Sequence, residues 1–197
     1  LSRDLKIDIA IDLMGFTTNH RFGIFVERCA PIQACYLGYS GTTGSDYIDY
    51  IIADKVLIPE ESQKFYTEKI IYLPDSFMVS DTTKKISNTV YTRQELGLPK
   101  SGFVFCCFSQ NYKITPDVFD TWMRILKKVE NSVLWLAENN KTGVKNIKNE
   151  AELRGIDPNR IIFAQHMLLA EHLARHRLAD LFIDTFPYTA HTTCNDA

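Results

Sequence analysis

Polar and apolar residues alternate with period two over 7–13 (IDIAIDL), the pattern of a half-buried strand. Residues 34–37, 48–53 and 69–73 (KIIYL) are further short β-branched or aromatic runs. No connection among them carries a long amphipathic helix, so this part predicts the tail of a domain whose beginning lies elsewhere. Residues 79–91 (VSDTTKKISNTVY) are polar and poor in core formers, and read as a linker. Beyond them the alternation becomes regular. Residues 103–108 (FVFCCF) form a continuous apolar run, as in a strand buried on both faces. The pattern over 116–129 is helical, with Pro at its start, and 132–136 is a strand. A helix over 144–154 closed by Gly155, a strand over 160–164, a helix over 168–179 and a strand over 181–185 follow. Strands alternating with helices through short connections predict right-handed βαβ units, hence an α/β fold with parallel sheets flanked by helices.

Composition narrows the function. Lys and Arg number 22 against 24 Asp and Glu, a formal charge of −2, which argues against a general nucleic-acid binder. No apolar stretch reaches the roughly 20 residues of a membrane span. The five cysteines are odd in number and lack paired metal-ligand spacing, which favours a reducing, cytoplasmic setting. The chain opens at Leu1 and stops at Ala197 as a new element begins, so we expect an internal piece of a longer protein.

Ligands of parallel sheets gather where strands run into helices. Past 103–108 the sequence places Gln110 and Lys113, either a solvated loop or a cation and an amide for anionic oxygen. His172 and Arg175 share a helix face with His176 one turn on; these are a solvated basic face or a ligand contact. A metal at His172 and His176 lacks a third ligand. After 181–185 come His191, Thr192, Thr193 and Asp196. Thr193 with Asp196 fits a capping-box-like helix start, and the hydroxyls and free N–H groups there suit a phosphate. Residues 38–44 (GYSGTTG) match neither a P-loop nor a dinucleotide fingerprint and read as a tight turn.

Taken together, 30–44 (APIQACYLGYSGTTG), 49–54, 108–136 and 171–197 resemble the catalytic region of protein O-GlcNAc transferases and their SPINDLY-type relatives, the bacterial branch in particular. The resemblance implies GT-B architecture. Residues 1–90 would be the end of the first Rossmann-like lobe plus linker, and 91–197 the start of the second, nucleotide-binding lobe. It further implies inverting, metal-independent transfer of GlcNAc from UDP-GlcNAc to Ser or Thr hydroxyls of proteins, with no cofactor and with tetratricopeptide repeats upstream. Lys113 matches the lysine that neutralises the leaving diphosphate, and Gln110 its phosphate-side neighbour. His172 and Arg175 match the pair on the uracil. His191, Thr192 and Thr193 match the element that holds the diphosphate, and Asp196 the ribose ligand. Gly38 matches a glycine lying against the sugar; Phe16 and Arg21 align on the sugar or acceptor side.

Three departures stand out: Leu169 replaces a lysine of the animal enzymes, Ser40 a proline, and Phe16 a tyrosine. The family's active-site histidine and aspartate precede the matched region, and the 197 residues alone are expected to be inactive because they hold neither the beginning of one lobe nor the end of the other. GDP-fucose or UDP-glucose as donor, or a non-catalytic scaffold that binds nucleotide sugars, are the alternative readings.

Overall fold

The computed structural model describes residues 1–197 and divides into two compact units, Leu1–Val79 and Ser80–Ala197. The first holds a parallel sheet in the order β1 (Ile9–Asp12), β2 (Ile32–Tyr36), β3 (Tyr50–Ala53) and β4 (Lys69–Tyr72). Two short 3-10 turns, Phe22–Phe25 and Glu60–Phe65, are its only helical pieces, as expected from connections that carry no long amphipathic helix. Phe22 and Phe25 from the first turn pack with Cys35, Ile48, Ile51, Ala53 and Ile58 as the core.

Buried polar side chains hold the connections in place. The fully buried Gln33 donates to Phe25 O (2.9 Å) and Tyr47 O (2.6 Å), and accepts from Cys29 N (2.9 Å). Asp49 binds Arg28 and the N–H of Gln33, and that local pairing starts β3 at Tyr50 rather than at the expected residue 48. Asp54 follows β3 and accepts from Leu57 N and Phe77 N, both at 2.7 Å.

In the second unit the parallel order is β7 (Ile161–Ala164), β6 (Val133–Ala137), β5 (Val104–Cys107) and β8 (Leu181–Phe182). Successive residues of β5 and β6 feed opposite cores, which is why the run FVFCCF carries no polar position. Phe105, Cys107, Leu134 and Leu136 meet Phe119, Trp122, Met123 and Leu126 of α1 (Pro116–Lys128), together with Ala151 of α2 (Lys141–Leu153). Val104, Cys106, Phe108 and Trp135 pack on the other side with Leu98.

The helix α1 is capped by Thr115, which accepts from Val118 N (3.4 Å), and Pro116 opens it. Asn140 accepts from Gly143 N (2.7 Å) and starts α2 three residues before the expected Val144. Gly155, at φ +71°, ends it as predicted, with Ile156 N on Ala151 O (3.0 Å) and Gly155 N on Glu152 O (2.8 Å). The helix expected over 168–179 is α3 (Leu169–Arg175) followed by a 3-10 turn, His176–Leu178. β8 stops short of the expected Thr185 because Asp184 Oδ1 accepts from Thr185 N and Ala190 N, both at 2.7 Å, and folds the chain back. The last element is α4 (Thr192–Asn195). No helix is long and apolar enough to cross a membrane.

Candidate functional site

Every candidate group of the second unit lies past the carboxyl end of a strand, where the amides of loops and helix starts face outward. Past β5 stands Phe108, buried at the centre of a ring cluster. Its ring meets His172 at 5.1 Å, His176 at 5.0 Å and Trp135 at 5.1 Å, all edge-on. The Arg175 guanidinium lies 4.7 Å from the same ring. Arg175 is only 3% exposed, so this candidate site residue also belongs to the core. It donates to Gln165 O (2.6 Å) and to His172 Nδ1 (2.5 Å).

That second bond sets the chemistry of His172. A guanidinium only donates, so His172 Nδ1 must accept and the ring proton sits on Nε2. Burial, then the neighbouring Arg175 and His176, push its pKa down to about 4, leaving a neutral ring at physiological pH. His176 Nδ1 donates to His172 O (2.8 Å), which fixes the opposite tautomer there; burial lowers its pKa too. A cleft of about 380 Å³ opens beside this cluster, lined by Phe108, Gln110, Asn139, Gln165, His172 and Arg175 among others. The expected pair His172 and Arg175 and the expected Gln110 therefore border one cavity. Leu169, the position without the lysine, lines it as well.

Lys113 ends a 3-10 turn, Asn111–Lys113, and reaches across to the loop after β8. Its Nζ donates to Thr189 O (3.0 Å) and lies 4.0 Å from the centre of the Tyr188 ring. It is thus brought to the approach of His191, Thr192 and Thr193. Burial first, and the Lys113 charge second, lower the pKa of His191, so this ring too is neutral above its ordinary range. The capping box expected of Thr193 and Asp196 does not form. His191 occupies the cap position without a side-chain cap bond, and Asp196 lies past the end of α4. Its carboxylate instead meets Lys84 Nζ at 2.5 Å. The Asp196 charge works against the lowering of the His172 and His176 pKa values. No group of three or more His, Cys, Asp or Glu could hold a metal ion.

In the first unit, Gly38 is needed for close approach, not for a special dihedral. A Cβ there would sit 2.0 Å from Leu13 O. Phe16 is partly exposed and packs on Phe22 (4.9 Å) and Tyr39 (5.5 Å), while Arg21 is exposed at the entry to the turn Phe22–Phe25. Thr42 and Thr43 of the glycine-rich loop donate to the buried Glu68, with Thr42 Oγ1 at 2.7 Å and Thr43 N at 2.6 Å. Burial by itself would raise the Glu68 pKa, but the hydrogen bonds from Thr43 and Thr42 outweigh it and hold it below its ordinary value.

Sequence reasoning missed Phe108 as a site residue, because a strand pattern hides which apolar residue faces a cleft. Lys84 was missed as well, since a polar tract gives no sign of what it touches.

Comparison with known proteins bears on both units. Residues 3–89 and 83–197 match the profile of Glycosyl transferase family 41. The chain is 39% identical over 196 residues to "Probable UDP-N-acetylglucosamine--peptide N-acetylglucosaminyltransferase SEC" of Arabidopsis thaliana, covering 97% of this chain and 20% of the relative. It is 34% identical over 197 residues to the SPINDLY protein of Petunia hybrida, which carries the same enzyme description, covering 97% and 21%. A mutant O-GlcNAc transferase structure from Thermobaculum terrenum matches with a TM-score of 0.85 at 28% identity, covering all of this chain (100%) and 37% of that one. The chain therefore spans about a fifth of the length of these curated relatives. Its two parallel sheets are the Rossmann-like sheets of a GT-B glycosyltransferase. With matches reaching across both units, the chain belongs to glycosyl transferase family 41.

Proposed function

We propose that the chain is part of a metal-independent, inverting enzyme that transfers GlcNAc from UDP-GlcNAc to Ser or Thr hydroxyls of proteins. The names of its relatives support the donor and the peptide acceptor. The observation that carries the reading is the position of Lys113, whose Nζ is bound at 3.0 Å to Thr189 O at the approach to the His191–Thr193 stretch. A departing diphosphate gains about one further negative charge, added to those it already carries, as its bond to the sugar breaks. A preorganised cation with hydroxyl and N–H donors can stabilise them without reorganisation at the moment of reaction.

In this reading Lys113 and Gln110 meet the phosphates, and His191, Thr192 and Thr193 hold them. His172 and Arg175 border the uracil, and Asp196 accepts from the ribose. Neutral His172, protonated on Nε2, offers a donor where uracil has carbonyl oxygens. Gly38, Phe16 and Arg21 serve the sugar or acceptor side. Tetratricopeptide repeats upstream would recruit acceptors. A cytoplasmic location is supported by five free cysteines.

The test is calorimetric titration of UDP and GDP into the full-length enzyme, with turnover of Lys113→Ala. UDP binding with GDP excluded is expected, and a fall in kcat of about 10²–10³ with donor affinity changed less than about threefold. Preference for GDP, or equal loss in turnover and affinity, would overturn the reading.

A further inference from the structure

Residues 80–91 form neither helix nor strand, yet they are tied at several points to the elements that carry the donor groups. Asn195 Nδ2 donates to Ser80 Oγ (3.1 Å), and Ser87 N donates to Ala170 O (3.0 Å). Thr89 Oγ1 and Tyr91 OH donate to the Glu171 carboxylate at 3.3 and 2.5 Å. Ala170 and Glu171 precede His172, and Asn195 precedes Asp196. The polar tract is thus a strap across α3 and the end of α4. Lys84 lies within it, its Nζ on Asp196 Oδ1 at 2.5 Å, with side chains 24% and 13% exposed.

This pairing answers an electrostatic difficulty. Asp196 follows directly on the turn of helix begun by Thr192 and Thr193, and its N–H is bonded to Thr192 O (3.0 Å). An uncompensated carboxylate there would repel the diphosphate that these threonines are read to hold. In a partly buried pair that repulsion is weakly screened. Lys84 makes the pair neutral and engages only Oδ1, leaving the second carboxylate oxygen to accept from a hydroxyl.

We propose that Lys84 is a positioning residue of the donor site, cancelling the charge of Asp196 towards a nucleoside diphosphate and fixing its carboxylate. This rests on the UDP-sugar reading above.

The experiment measures dissociation constants of UDP and uridine for the full-length enzyme and for Lys84→Gln and Lys84→Arg. Gln keeps a donor towards Asp196 but removes the charge. It is expected to weaken UDP about tenfold, the scale of one charge-assisted contact, and uridine by less than about threefold. Arg is expected to bring UDP back to within about threefold of the parent. Equal losses for UDP and uridine without rescue by Arg would reduce Lys84 to a fastening of the strap and overturn the proposal. Unchanged or tighter UDP binding by the Gln variant would overturn it as well, while leaving the UDP-sugar reading intact. A parent enzyme that binds no UDP removes that reading, and this proposal with it.

Discussion

Replacing Arg175 with Met keeps much of the side-chain volume while removing a buried cation and its bonds to Gln165 O and His172 Nδ1. The consequence is sharpest at His172. Its pKa is depressed from 6.5 to about 4, first by burial, then by Arg175 and His176, with Asp196 pulling the other way. Burial has the largest share, and Arg175 comes second. Its loss should raise the pKa from about 4 towards the ordinary 6.5. The sign for stability follows from linkage. A histidine kept neutral in the fold contributes its full stability above pH 6.5, and that stability drains as the pH falls through 6.5 towards 4. When complete, the loss amounts to about 3 kcal/mol in the parent and to less in the variant, whose window closes at a higher pH. Residue-resolved C2 hydrogen–deuterium exchange of histidines, read by mass spectrometry between pH 3 and 8, reports the titration in the full-length enzyme. An unmoved His172 in Arg175→Met would show that burial alone sets the ring's state. A parent His172 titrating near 6.5 would refute the packing described here.

Three further substitutions probe other levels of the fold. Gly38→Ala places a methyl group 2.0 Å from Leu13 O, so the loop must move off the end of β1; a cost of about 1–3 kcal/mol is expected, seen as faster amide exchange over residues 32–53. Gln33→Leu strips four hydrogen bonds from a fully buried site and leaves the Cys29 N–H unpaired, while Phe25 O and Tyr47 O keep Arg28 as a donor, for about 2–4 kcal/mol by denaturant melts. Glu68→Gln should loosen residues 42–44 in amide exchange. The same carboxylate, held below its ordinary 4.5, contributes stability above that pH that is lost as the medium is acidified, and the variant should lack this acid-sensitive component.

What could be read locally was read well. The strand 103–108, the helix opened by Pro116 and the stop at Gly155 each follow from periodicity or backbone preference within a few residues. Errors arose where a side chain overrode the local pattern. Asn140 begins α2 early, Asp184 turns the chain before Thr185, and Asp196 leaves the cap of α4 for Lys84. The resemblance named the site residues in the order of the sequence but not their partners. Lys113 meets Thr189 across 76 residues, and Lys84 meets Asp196 across 112. Contacts of that span depend on how strands order in a sheet, here β7-β6-β5-β8, which no local pattern encodes. Arg175 shows the same limit: helical spacing with His172 predicts a shared face, but not that the guanidinium is sealed against Phe108 and Trp135.

The burial of Arg175 has a consequence for engineering. A group that is both a wall of the cleft and a strut of the core cannot be varied freely, because each new side chain must also repack Phe108, Trp135 and His172. Attempts to reshape the cleft through Arg175 should yield mostly unstable protein. The rim offers better handles, since Gln110, Asn139 and Gln165 border the same cavity, and Gln110 and Gln165 reach it from exposed positions. Libraries confined to that rim would reshape the cleft while leaving the scaffold beneath it intact.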